Sequence, residues 1–362
     1  MAHVEDEGEE EQCFLVEPLF YDEAKEMAWA LAERERRRRE EDEMARKVAE
    51  NLRRDEAHQT VKKSIIEYNT KLERNVYTRF FLRDFSVFDI NELSLIPPMR
   101  YTDSMYEDEF ALEDSANILS VSVVSSDVSL PINVYGSVIV RDSIDYKCIY
   151  LFRRHRDDCQ VINDEDKTLI LTGPDRGLVL VDFIYLEIDL KIRDLKDDKE
   201  DQDKQFSKGL ISIDGRVLSR ERDVVVRSET LESWLSTMEV RVATVLNTVE
   251  VTFEIKLLMG HLDGNITVGI KGIKEPILIH DSEADGVVTW DESRVVKLRR
   301  RVMTICLQEM LAFHIVNEAD GVKGERTLDF TPKRTGSDHC NILCGAGVFG
   351  FTVVWSLMDF RM

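Results

Sequence analysis

The sequence predicts a mainly β protein, an antiparallel β-sandwich or open barrel preceded by a charged, largely helical N-terminal arm. Three observations carry that prediction. Apolar and polar residues alternate over several long stretches after Asn117. Tight-turn dipeptides punctuate those stretches, and helical spacing is confined to the part of the chain before a proline pair. Alternation with a period of two marks strands with one buried and one wet face, as in antiparallel sheets.

The arm comes first. From about Asp22 to Leu72, Met27, Ala28 and Leu31, then Met44, Val48 and Leu52, recur at three- and four-residue spacing. Every residue from Glu33 to Glu43 is charged. Glu33/Arg37 and Glu35/Arg39 are favourably oriented (i, i+4) pairs, each worth about 0.2–0.5 kcal/mol. So thin an apolar stripe describes a solvated, partly independent helix with a weak coiled-coil tendency, through which weak self-association is expected. Arg36–Arg39 could read as a nuclear-import or RNA-binding patch, but Glu40, Glu41, Asp42 and Glu43 follow at once. A charge-balanced helix is the favoured reading. Pro97-Pro98 ends helical structure and imposes an extended path. The arm is therefore placed at residues 1–92 and the β-rich domain at 93–362.

Within that domain Leu186, Ile188, Leu190 and Ile192 alternate with Glu187, Asp189 and Lys191. Val249, Val251, Phe253, Ile255 and Leu257 alternate with Glu250, Thr252, Glu254 and Lys256. Near the end Phe349, Phe351, Val353, Trp355 and Leu357 share a face, which places Trp355 in the core. Asp214-Gly215, Asp263-Gly264-Asn265 and Asp285-Gly286 supply the turns. Many short strands without intervening helical patterns indicate a sandwich or barrel.

Composition narrows the function classes. The chain has 362 residues, with 48 basic against 70 acidic side chains and a net charge of −22. Such a surface disfavours nucleic-acid phosphates and anionic lipid heads, which leaves protein as the expected partner. Glu5, Asp6, Glu7, Glu9, Glu10 and Glu11 are the opposite of a signal-peptide n-region. No apolar run approaches the ~20 residues that span a bilayer. Six cysteines spread thinly over the chain do not resemble a disulfide framework. These features describe an intracellular, reduced protein, placed in the cytoplasm with the nucleus as a further compartment.

One loop raises the question of chemistry. Leu169 to Asp182 reads LILTGPDRGLVLVD, with Gly173, Pro174, Asp175, Arg176 and Gly177 between two apolar runs. A phosphate-binding glycine loop needs a strand before it and a helix after it. Here the second run is β-type, so the five residues are read as a surface turn with Arg176 exposed at its tip. His339, Cys340 and Cys344 offer three zinc ligands where a structural site normally needs four. Asp142, Asp145, Asp157 and Asp158 could form a calcium cup, but acidic rims are common in so acidic a chain. His155 with Cys159 is a base and a thiol with no third orienting group in sequence. Glu43 and Arg46 share the spacing of a ribosome-inactivating N-glycosidase helix, within a charge-saturated helix that closes no pocket. No metal and no cofactor is expected.

A family resemblance runs through the chain in order. It begins with Asp84-Phe85-Ser86 through Pro98-Met99-Arg100-Tyr101-Thr102 and continues with Asn117-Ile118-Leu119-Ser120-Val121 to Ser125-Ser126-Asp127. It goes on through Pro131-Ile132-Asn133-Val134-Tyr135-Gly136 and Arg141-Asp142-Ser143-Ile144-Asp145-Tyr146-Lys147-Cys148. Leu151-Phe152-Arg153-Arg154, Leu171-Thr172-Gly173-Pro174 and Val353-Val354-Trp355-Ser356-Leu357 complete it. Together these resemble a domain of unknown function characteristic of cereal grasses, also fused behind ribosome-inactivating N-glycosidase domains of jasmonate-induced type. The resemblance implies a setting in stress or defence and no catalytic residues. After Gly-Pro the family pattern carries a basic residue where this chain has Asp175. The expected function is a non-enzymatic binding or regulatory module. The alternative is a hydrolase or N-glycosidase acting on RNA or carbohydrate.

Overall fold

The computed structural model describes residues 22–100, 102, 112–194, 202–216, 223–271, 273–290 and 294–358. The acidic stretch at residues 5–11 and Tyr101 lie outside the described residues. The chain divides into two compact units, Met1–His58 and Gln59–Met362.

The first unit contains most of α1 (Glu23–Ser64), a helix of 42 residues with no buried side chain. Asp22 accepts a hydrogen bond from the Lys25 N–H at 3.2 Å, which satisfies one orphan donor of the first turn. The two expected charge pairs form, Arg37–Glu33 at 3.2 Å and Arg39–Glu35 at 3.9 Å. The Arg37 and Arg36 guanidiniums hold the Glu33 carboxyl below its usual range. This is the solvated helix that the charge pattern describes.

The second unit opens with a small hairpin, β1 (Ile66–Asn69) and β2 (Arg74–Tyr77). Then come β3 (Glu113–Ser126), β4 (Ile132–Arg141), β5 (Ile149–Arg154), β6 (Gln160–Ile162), β7 (Leu178–Val179) and β8 (Phe183–Ile192). Next are β9 (Lys204–Asp214), β10 (Val224–Ser233), β11 (Ser236–Met259), β12 (His261–Leu262), β13 (Gly264–Ile270), β14 (Ile277–Asp281) and β15 (Val288–Thr289). The chain ends with β16 (Val302–Cys306), β17 (Leu311–Asn317), β18 (Gly324–Phe330), β19 (Gly336–Cys344) and β20 (Gly347–Leu357).

The strands form a mainly antiparallel, sandwich-like architecture organised by β11, whose 24 residues run through both cores. A seven-stranded sheet has the path β19-β20-β11-β3-β7, with β10 and β16 also paired to β11. The N-terminal half of β11 lies between β3 and β10, and its C-terminal half between β16 and β20. Met238, Val240 and Val242 join β3 in one apolar core with the five-stranded sheet of β4, β5, β6, β8 and β9. Val249 to Leu257 join β16 and β20 in a second core, closed by the four-stranded sheet β14-β13-β17-β18. Strand β20 alternates as expected, with Phe349, Phe351, Val353, Trp355 and Leu357 all buried. The Trp355 indole N–H donates to Asp338 at 2.8 Å, so its one polar atom is satisfied.

Two corrections follow. Residues 59–92, expected in the arm, belong to the β unit. Ile65, Phe85 and Ile90 form a small core of their own with Val61, Tyr77, Phe81 and Phe88 packed against it. Glu187, expected on the wet face of β8, is only 4% exposed because this segment covers it. Arg141 donates to both Glu187 oxygens at 2.7 and 3.2 Å, and Arg79 donates to Glu187 at 2.9 Å. The Phe80 N–H adds a bond at 2.9 Å. The same two arginines bind the Ile90 carbonyl at 2.6 and 3.1 Å. Burial alone would raise the pKa of Glu187. Arg141, then Arg79 and the Phe80 N–H, overcome that and hold it below the ordinary value of 4.5.

Two predictions arise. A chain beginning at Gln59 keeps the cooperative thermal transition, whereas one beginning at Leu93 loses it or melts far lower, because Glu187 and Arg141 lose their cover. Equal melting of the two truncations would show that the 65–92 segment is not part of the fold. The second concerns pH. A carboxylate with a lowered folded pKa stabilises above its unfolded pKa, and that contribution is lost as pH falls through the folded value. Glu187→Gln leaves two arginines without their buried counter-charge, a loss of about 3–5 kcal/mol near neutral pH. Chemical denaturation should show this gap in full above pH 4.5 and closing below it. A gap independent of pH would show that charge is not the cause.

Candidate functional site

The Gly-Pro-Asp-Arg-Gly loop is the natural place to look for chemistry, and its backbone explains where each side chain goes. The Gly173-Pro174 peptide is cis. At Gly173 a Cβ would sit 1.9 Å from the Tyr150 carbonyl oxygen, so only glycine lets the chain press this close to β5. The Thr172 N–H bonds the Leu151 carbonyl at 2.8 Å, and after the bend Leu178 and Val179 pair with Ala116 and Ser115 of β3. Thr172 and Asp175 face solvent.

Arg176 does not. Expected at the tip of a surface turn, it is 2% exposed. Its guanidinium donates to both Asp142 oxygens at 2.5 and 2.9 Å, to the Gly177 carbonyl at 3.0 Å and to the Ser94 hydroxyl at 3.3 Å. Asp145 lies 3.6 Å away. Burial works against the charged form, but the bonds to Asp142 outweigh it and raise the Arg176 pKa. Asp142 also accepts from the Val179 N–H at 3.0 Å. A buried counter-ion therefore holds the arginine inward, and the sequence holds no local sign of it because the two residues are 34 positions apart.

Gly177 completes the arrangement. Its N–H donates to Glu250 Oε2 at 2.6 Å, and the Met99 N–H donates to Glu250 Oε1. Glu250, expected on a wet face of β11, is 5% exposed. Burial pushes its pKa up, against the pull of the two N–H groups, Arg100 and Arg176. The glycine is required by space here. A Cβ on Gly177 would lie 2.6 Å from Met358 Sδ, 2.9 Å from a Thr304 methyl and 3.2 Å from Glu250. The loop N–H and the guanidinium that would have met a phosphate are answered by carboxylates of the same chain.

Outside this buried network lies a groove of about 530 Å³ on the outer face of the large sheet. Its lining includes Thr252 and Glu254 of β11 with Thr352 and Val354 of β20, and also Pro98, Met99, Pro174, Asp175, Leu298, Arg299, Arg301 and Val302. Glu254 pairs with Lys256 at 2.8 Å and Arg299 with Asp285 at 2.8 Å.

The other sequence candidates fall apart for identifiable reasons. His339 and Cys340 are neighbours on β19 and so point to opposite faces. His339 bonds Thr352 at 3.1 Å, while Cys340 packs against the core. Cys344 is buried and directs its thiol at the Ile315 carbonyl. Among the described residues no three His, Cys, Asp or Glu side chains converge as metal ligands. Asp142 and Asp145 face Arg176, whereas Asp157 lies by Arg193 and Asp158 pairs with Arg154. Cys159 donates to the Arg156 carbonyl at 3.0 Å and burial raises its pKa, away from the thiolate a nucleophile needs. Glu43 and Arg46 are exposed on α1. Sequence reasoning missed Asp142 as an arginine partner, and missed Glu187 and Glu250 as buried groups. Carboxylates directly flanked by core residues were the available signal.

The profile of a domain of unknown function, DUF6598, matches residues 115–353, and the chain belongs to that family. The match runs from β3 through most of β20 and so takes in both cores. No curated protein matches the chain. Two solved structures of human GIVD cytosolic phospholipase A2 resemble it loosely. One is 9% identical, covers 69% of this chain and 30% of that one, with a TM-score of 0.21. The other, in complex with methyl gamma-linolenyl fluorophosphonate inhibitor and terbium chloride, is 12% identical over 69% and 32%, with a TM-score of 0.19. The chain thus spans about a third of that protein's length. Likeness of this degree carries no argument.

The network makes a prediction. Arg176→Ala and Asp142→Asn should each cost about 3–5 kcal/mol, because each strands a buried charge. Gly177→Ala should cost about 1–3 kcal/mol by crowding Glu250 and Met358. Inorganic phosphate should leave the wild-type melting temperature unchanged. A phosphate-dependent rise that Arg176→Ala abolishes would reinstate the anion loop.

Proposed function

We propose that this DUF6598 chain is a non-enzymatic binding module that receives a segment of another protein in the groove over β11 and β20. The observation that carries the reading is the division of labour around Glu250. The ionisable groups beneath the groove are consumed by one another, while those at its edge, Asp175, Glu254 and Arg301, carry both signs beside apolar Pro98, Met99, Leu298 and Val354. An apolar centre with a polar, charged rim is the anatomy of a protein-binding surface. The volume also lies in the range of about 300–1,000 Å³ common to ligand sites. An intracellular setting in stress or defence, implied by the cereal-grass resemblance, is part of the proposal. Among the described residues no helix is long and apolar enough to cross a membrane.

The test places a photo-crosslinking side chain at Thr352 or at half-buried His58, outside the groove, and identifies the attached peptides by mass spectrometry. One protein attached through Thr352, absent from His58 and lost when Val354→Arg fills the groove, is the expected result. Release of adenine from ribosomal RNA or cleavage of a polysaccharide, abolished by Val354→Arg, would overturn it in favour of the hydrolase reading.

A further inference from the structure

Helix α1 carries a pattern that the β unit does not explain. Its apolar residues Met27, Leu31, Val48 and Leu52 are all more than half exposed. Read in heptads, they fall on alternating d and a positions, and the seam continues between them through Arg34, Arg38, Glu41 and Ala45. Helices of this kind owe most of their stability to packing, and this one buries no side chain.

The seam is antisymmetric about the Arg39-Glu40 peptide. Reversing the helix and laying it on itself sets Met27 against Leu52, Leu31 against Val48, Arg34 against Ala45 and Arg38 against Glu41. In each pair the two residue numbers add to 79. The same operation sets Arg36–Arg39 against Glu43–Glu40, Glu33 against Arg46 and Glu26 against Arg53. Apolar layers thus meet apolar layers, and at the centre of the seam basic Arg38 meets acidic Glu41.

We propose that α1 pairs with α1 of a second copy of this chain as an antiparallel coiled coil centred between Arg39 and Glu40. Other arrangements of the same helix fail on charge. A parallel, in-register pair stacks Arg34 on Arg34, Arg38 on Arg38 and Glu41 on Glu41. Sliding the antiparallel pair by one heptad sets Arg34 against Arg38 in one direction and Leu31 against Asp55 in the other. Like charges in a seam select against those alternatives. The favoured register overlaps residues 23–56, about 50 Å of helix at ~1.5 Å per residue. Much of its attraction is ionic and exposed, so added salt should weaken it. This proposal is independent of the groove reading.

The test is sedimentation equilibrium of the full chain at low salt, with circular dichroism to confirm the β unit in each variant. The wild type should reach twice the 41.9 kDa of one chain within the micromolar range. Leu31→Asp with Val48→Asp should abolish the dimer, as should Arg34→Glu with Arg38→Glu, and adding Glu41→Arg to the latter pair should restore it. For orientation, Leu31→Cys and Val48→Cys chains are mixed under mild oxidation, with the wild type as blank. Antiparallel pairing requires cross-links between the two kinds of chain and none within either kind alone. A monomer throughout, a dimer that survives Leu31→Asp with Val48→Asp, or Leu31→Cys chains that link to one another would each overturn the proposal.

Discussion

Arg141 and Asp142 are adjacent in the chain, fully buried, and bonded in different directions. Arg141, the last residue of β4, reaches Glu187 on β8 and the Ile90 carbonyl. Asp142 reaches Arg176 and the Val179 N–H. From Glu187 the network continues to Arg79 and Phe80, and across the loop the Gly177 N–H meets Glu250 at the middle of β11. One dipeptide therefore links the five-stranded sheet, the 65–92 segment and the loop that packs on the strand shared by both cores. The 65–92 segment and the Gly-Pro-Asp-Arg-Gly loop are both anchored by these charges.

Burying charge in this way adds little net stability, since the desolvation of each ion offsets much of the attraction. Its consequence is geometric. An apolar cover over Glu187 or Glu250 could slide, because hydrophobic contact is non-directional. A guanidinium held by two carboxylate oxygens and a carbonyl cannot slide without leaving a charge unpaired. Met99 makes the same point from the far end of the N-terminal segment, giving its N–H to Glu250 while its side chain lines the groove. The groove wall thus inherits its position from a buried carboxylate.

This division also explains what could be read from the sequence. Period-two alternation identified β8, β11 and β20, and the register of Trp355 with Phe351 and Val353 followed from it, because one face of each strand packs on a core. The other face was read as wet wherever it carried Glu or Lys. That inference held at Lys256 but failed at Glu187 and Glu250, where irregular segments from far along the chain cover the strand. Alternation reports that a side chain is polar, not whether a distant loop brings its counter-charge. Arg176 failed for the same reason: a Gly-Pro-Asp-Arg-Gly loop has the composition of a surface turn, and only the fold supplies Asp142. The family profile covers both cores and begins after the 65–92 segment, so neither it nor the proline pair marked that segment as part of the β unit.

The loop that first suggested a phosphate site is, physically, an anion site already filled. A guanidinium and a backbone N–H meet carboxylates of the same chain, with the close approach that glycine allows at Gly177. An external anion would have to take Arg176 from Asp142 or the Gly177 N–H from Glu250, an exchange that strips a buried carboxylate of that partner and so runs uphill. Glu250 is engaged in the same way, each of its two oxygens accepting a backbone N–H bond, one from Met99 and one from Gly177. What the arrangement leaves available outside is the rim of Asp175, Glu254 and Arg301 around an apolar floor. In the binding role proposed above, groups of that kind select a partner by complementarity of charge and shape.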